Sequence, residues 1–148
     1  MRTAIIIMAF LLGSCCHQST KEGKPERFHL DISKIEMRYI ELTCVFMISM
    51  GCEEFEARAD YDTKIITNKK KINRIMNQIV AAPPFEAMYD EPDTRIKLYI
   101  HWKNGEMEPV CIGQNSIFLK RGIFYEGSKE LMLLLESMMP KYYRLWSE

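Results

Sequence analysis

The sequence lacks an excess of charge of either sign, since twenty Lys and Arg balance twenty Asp and Glu over 148 residues. A balanced chain has no global field to gather nucleic acid or an anionic membrane surface, so no nucleic-acid partner is expected. Histidine is scarce, with only His17, His29 and His101. No CxxC or HxxxH spacing accompanies them, which leaves a zinc-type centre without a ligand set. No apolar run approaches the roughly 20 residues that cross a bilayer as a helix. GxSxG, P-loop, HExxH and dinucleotide fingerprints are missing too, which argues against the chemistries those motifs serve. The expectation is a chain with no metal, no cofactor and no catalytic set.

What is present begins at the N-terminus. Arg2 supplies a positive charge, and Ala4 to Leu12 form an apolar core of nine residues. That length suits the hydrophobic region of a signal peptide. Gly13 and Ser14 are small, and Cys15 follows. The run Leu12-Gly13-Ser14-Cys15 resembles the lipobox of bacterial lipoproteins. The resemblance covers only this segment and says nothing of the domain behind it. It implies that residues 1–14 are removed, that the Cys15 thiol is diacylated, and that the new N-terminus is acylated as well. It places the mature chain on a membrane of the cell envelope. Cys16, standing where an aspartate would signal inner-membrane retention, favours the outer membrane. Residues 15–27 then form the lipidated N-terminus and a tether, because Gln18 to Arg27 contain no apolar residue. So short a tether holds a domain, and its protein partner, close to the membrane.

Residues 28–148 read as one α+β domain, with five to seven antiparallel strands packed on two helices. Strands are expected over Ile35–Leu42 and Cys44–Met50, with a third near Glu54–Ala59. A helix over Lys69–Ala81 has Asn68 or Thr67 as N-cap, and Ile72, Ile75, Met76, Ile79 and Val80 mark its apolar face. Arg95–Lys103 alternates strictly, with Ile96, Leu98, Ile100 and Trp102 on one side. Asn104-Gly105 suggests a two-residue turn that sets His101 opposite Glu108 and Leu98 opposite Cys111. Pro109 then marks an edge or a bulge. Short strands near Ile117–Lys120 and Ile123–Tyr125 lead to a helix capped by Ser128. Leu131, Leu134, Leu135, Met138 and Met139 form its buried face, and Pro140 ends it.

The two helices align at an offset of 59 residues, which suggests two strand-strand-strand-helix halves. The same offset superposes Cys52 on Cys111. With Cys111 on the Trp102 side, a Cys52–Cys111 disulfide would staple the halves in an oxidising envelope compartment. Eleven methionines, several at core-facing positions, suit an irregular core.

Few residues invite chemistry. His101 beside Glu108 reads as an exposed cross-strand ion pair. Lys69, Lys70, Lys71 and Arg74 read as the solvated face of a helix. Asp90, Glu91 and Asp93 lack the alternation and glycine of a calcium loop. Tyr142, Tyr143, Arg144 and Trp146 are of the types enriched at binding hot spots, and form the candidate partner surface. The sequence thus describes a membrane-anchored envelope lipoprotein with a small non-catalytic binding or inhibitor domain, immunity-like in one form. The alternatives are a structural or assembly lipoprotein of an envelope complex, and last a small enzyme using His101 or a cysteine.

Overall fold

The computed structural model describes residues 31–43, 49–58, 60–86 and 92–143. Cys15, Cys16, the tether, residues 44–48 of the strand expected over Cys44–Met50, Asp90, Glu91, Arg144 and Trp146 lie outside them.

The elements run β1 (Ile32–Tyr39), α1 (Phe55–Arg58), β2 (Asp62–Ile66), α2 (Lys69–Ala81), β3 (Thr94–Trp102), β4 (Met107–Gly113), β5 (Ile117–Lys120), β6 (Ile123–Glu126) and α3 (Lys129–Glu136). The strands make one antiparallel sheet in the order β2-β1-β3-β4-β5-β6. This is an α+β fold.

Alternation in β1, β3 and β4 sends Ile35, Met37, Ile96, Leu98, Ile100, Val110 and Ile112 to one face, all fully buried. Ile72, Ile75, Met76 and Ile79 of α2 and Leu131, Leu134 and Leu135 of α3 close over them in a single cluster. Asn68 caps α2 by accepting from Lys71 N, and Ser128 caps α3 by accepting from Leu131 N. Helix α3 stops at Glu136, a turn earlier than its spacing suggests, yet Met138 and Met139 remain buried beyond it.

Three expectations are corrected. The segment around Glu54–Ala59 is the short helix α1 and not a strand. Asp62–Ile66, which reads as a lead-in to α2, is an edge strand paired with β1. The hairpin register differs by one residue. His101 faces Met107, Ile100 faces Glu108 and Lys97 faces Cys111. A two-residue type I′ turn needs positive φ at both central residues. Here only Gly105 has it, at φ 90°, while the Asn104 side chain accepts from Glu106 N at 3.0 Å. Gly105 N donates to Trp102 O, and Trp102 N donates to Glu106 O, so the loop holds three residues and a bulge. A slip of one exchanges the faces of β4. Cys111 therefore lies on the side of Lys97 and Tyr99, opposite the helices, and His101 has no cross-strand carboxylate in Glu108.

Cys52 and Cys111 are joined in a disulfide, with Cα atoms 5.6 Å apart. It fastens the segment carrying α1 onto the face opposite α2 and α3. Phe55, Ile40 and Met50 form a small second core there, with Phe55 stacked on Tyr61. The suspected strand-strand-strand-helix repeat is not matched, since the described elements run β1-α1-β2-α2 and then β3-β4-β5-β6-α3, with Cys52 in a turn before α1 and Cys111 within β4.

Candidate functional site

Two places with clustered polar chemistry among the described residues lie on opposite faces of the sheet. On the α1 face, Glu56 accepts from Lys97 Nζ at 2.8 Å, from Arg38 Nη1 at 3.4 Å and from the Tyr99 hydroxyl. Lys97 Nζ also donates to Cys52 O at 2.8 Å. The Arg38 guanidinium lies 4.7 Å over the Tyr99 ring and pairs with Glu36. Burial pushes the Glu56 carboxyl up, but the hydrogen bonds from Lys97 and Tyr99, with the Lys97 charge, outweigh it and hold the pKa below the usual value. Burial and the bond to Glu56 push the Tyr99 hydroxyl up. A network that satisfies each of these groups holds α1 in place. His101, at the margin, has its Nε2 buried without a hydrogen bond, 3.6 Å from Glu36 Oε2.

On the helix face the sheet is incomplete beside the β3–β4 hairpin. Strand β5 pairs only with Val110 to Ile112, so the outer edge of β4 from Met107 to Pro109 has no strand beside it among the described residues. Pro109, which has no N–H to donate, stands at this open edge. The gap leaves two adjoining hollows. One, of about 230 Å³, lies between α2 and the sheet and is walled by Met76, Ile79, Val80, Trp102 and Tyr125. The other, of about 440 Å³, runs along the β4 edge past Trp102 and Met107. Glu108 and Arg121 line both.

The charges of this groove are paired, although Glu108 Oε1 is buried without a hydrogen bond. Glu108 is 7% exposed and forms an ion pair with Arg121, whose Nε lies 2.9 Å from its Oε1. Arg121 Nη2 donates to the other oxygen at 3.2 Å, and Lys120 Nζ stands at 3.8 Å. Arg121 and Gly122 both have positive φ, 52° and 74°, in the tight turn from β5 to β6. Glycine or asparagine fills such a position at less cost, and an arginine there sacrifices about 1 kcal/mol of backbone energy. In return its side chain, 74% exposed, reaches Glu108 from the groove mouth.

Comparison with known proteins adds nothing to this geometry. No protein family, curated protein or solved structure matches the chain.

The tail residues divide. Tyr143 packs edge-on against Tyr39 of β1, with ring centres 5.5 Å apart, and its carbonyl accepts from Leu42 N. Its hydrogen bond to Asp62, with burial and the Asp62 charge, pushes its pKa up to about 12. Tyr143 thus secures the chain end to the sheet, and Tyr142 stays exposed. Asp93 is occupied by Arg95 and Met50 N. Among the described residues, no three His, Cys, Asp or Glu side chains gather as a metal site. The groove escaped the sequence reading because Val80, Trp102, Glu108 and Arg121 come from four separate stretches. Its one local signal is Arg121-Gly122 between two short β-prone runs.

Proposed function

We propose that this chain is a membrane-anchored envelope lipoprotein whose folded domain is a non-catalytic binding or inhibitor module, with an immunity-type protein as one form. The lipobox-like run ending at Cys15 supports the anchor. The observation that carries the contact role is the groove around Trp102. Its charged groups are paired with one another, while Val80 and Met107, which line its two hollows, stand about half exposed. Paired charges and uncovered apolar side chains suit association more than acid-base work.

The test has two parts. Labelled palmitate should be incorporated into the wild-type chain and not into Cys15→Ser. Affinity capture of the acylated protein from detergent-solubilised membranes should then recover a protein partner. A soluble toxin recovered in one-to-one complex supports the inhibitor form. Stable recovery of a multi-protein envelope assembly supports the structural alternative. A measurable turnover abolished by His101→Ala at unchanged melting temperature would refute the non-catalytic reading.

A further inference from the structure

We propose that the hollow between α2 and the sheet seats one aromatic side chain of the protein partner, a tryptophan or tyrosine whose N–H or O–H donates to Glu108. It rests on the contact role given to this groove above and names the residue type that the partner inserts.

The size of the hollow sets the scale of its occupant. At about 230 Å³ it lies below the roughly 300–1,000 Å³ of pockets that take a drug-sized molecule or a cofactor. A cavity of about 150 Å³ already holds benzene, so an indole or phenol ring has room here. The strand register puts Trp102, Glu108, Lys120 and Tyr125 on one face of the sheet, the face that the helices cover. The apolar wall is held in place by the rest of the core. Met76 and Ile79 are buried on the inner side of α2, and Tyr125 stacks on the buried Phe118 with ring centres 5.2 Å apart. Val80, half exposed at the rim, leaves the hollow open to an arriving side chain.

The polar group in this wall selects the chemistry. The Glu108 side chain is more than nine-tenths buried, and its Oε1 lies within ion-pair reach of Arg121 and Lys120 yet accepts no hydrogen bond. A buried acceptor left unmatched is costly, so an occupant that brings a donor gains what one without a donor forfeits. An aliphatic side chain would seal Oε1 from water and leave it unmatched. A carboxylate would meet Glu108 charge to charge. A lysine or arginine would give up its hydration for a carboxylate already balanced by two cations. An indole or phenol combines a broad apolar body for Met76 and Ile79 with a single neutral donor for Oε1. Trp102 and Tyr125 offer it edge or offset-stacked contacts, and the exposed Arg121 guanidinium stands at the mouth, in reach of the ring face. Tryptophan and tyrosine are also the residues that most often dominate protein contacts from such pockets.

The experiment titrates N-acetyltryptophanamide into the full protein, extracted from membranes and held in lipid nanodiscs, with isotope-labelled methyl groups read by NMR. The Met76 and Ile79 methyls should move upfield under the ring current of the bound indole, while those of Leu98, deep in the core, stay in place. The N1-methylated compound, which has no donor, should bind about tenfold more weakly. In Glu108→Leu the two compounds should bind alike. Should that variant fail to fold, Val80→Trp at the exposed rim, whose own ring covers the mouth, should abolish the shifts. Methyl groups that do not respond, equal affinity of the two compounds for the wild type, or a preference that survives in Glu108→Leu overturns the aromatic seat. In native membranes, a photoreactive residue at position 80 should join the partner through a peptide containing Trp or Tyr. A partner peptide with neither, or capture of lipid or of a second copy of this chain, overturns the seat and leaves the contact role standing. Affinity capture that recovers no protein at all overturns the contact role, and the seat with it.

Discussion

The two faces of the sheet are held down by different forces, and adjacent residues of β3 show it. Leu98 points into a cluster made by two amphipathic helices, all of it apolar and closed by periodicity. Lys97, one residue earlier, points to the other face and is tied to Glu56 and to the carbonyl of Cys52. The helix face is stabilised by non-directional burial, at about 25 cal/mol per Å² of apolar surface. The α1 face has a helix of only four residues, too short to stand alone. A disulfide, a network of ion pairs and the small core around Phe55 hold it instead. One face thus tolerates imprecision, whereas the other depends on a few particular atoms.

The most damaging way to break this contrast is on the helix face. Leu98→Ala should cost about 2–5 kcal/mol through lost burial and the cavity left behind, read by chemical denaturation. Next comes the disulfide, which closes a separation of 59 residues. Chain-entropy reasoning gives roughly 4 kcal/mol for such a loop, and Cys52→Ala/Cys111→Ala should lose about 2–4. The loss should be uneven, with hydrogen exchange rising most in α1 while amides of α2 keep their relative protection. Uniform loosening would show that α1 and the main core are one cooperative unit.

Smaller again is Glu56→Gln, expected to cost about 1 kcal/mol at neutral pH as charge-assisted bonds become neutral ones. The Glu56 carboxyl is held below its ordinary value of 4.5, so the folded state takes up a proton less readily than the unfolded chain. Its contribution is complete above about pH 4.5 and declines as pH falls through the folded pKa. Acid unfolding should accordingly be shallower in Glu56→Gln than in wild type.

The least effect belongs to Tyr143. With its pKa pushed up to about 12 by Asp62, the neutral hydroxyl is favoured in the folded chain. That contribution is intact below about pH 10 and lost as pH rises toward 12. Absorbance titration of tyrosinate should show a late-ionising tyrosine that returns to the ordinary range in Asp62→Asn.

Much of this fold is legible locally. Asn68 and Ser128 announce two helices, and the i, i+3, i+4 spacing that follows names the residues that cover the sheet. Strict alternation over Ile96 to Trp102 names the face they cover. Strand β2 is not legible, because Asp62-Thr63-Lys64-Ile65 is exposed at a sheet edge and shows no burial pattern. Helix α1 is equally hidden, since four residues cannot display a period and its position depends on Lys97, Tyr99 and Cys111 from distant strands. The groove is harder still. Each of its residues has an ordinary local explanation, and only the early end of β5 leaves them uncovered.

The sequence by itself determined the two covering helices, the alternating strand over Ile96 to Trp102 and the apolar residues between them, because burial follows periodicities of 3.6 and 2 that need no knowledge of the rest of the chain. Only the tertiary structure decided the hairpin register, the face on which Cys111 meets Cys52, and the convergence of Trp102, Glu108 and Arg121. A turn that takes three residues instead of two differs by the conformation of one asparagine, a small energy locally. The sheet multiplies that difference by exchanging the two faces of an entire strand.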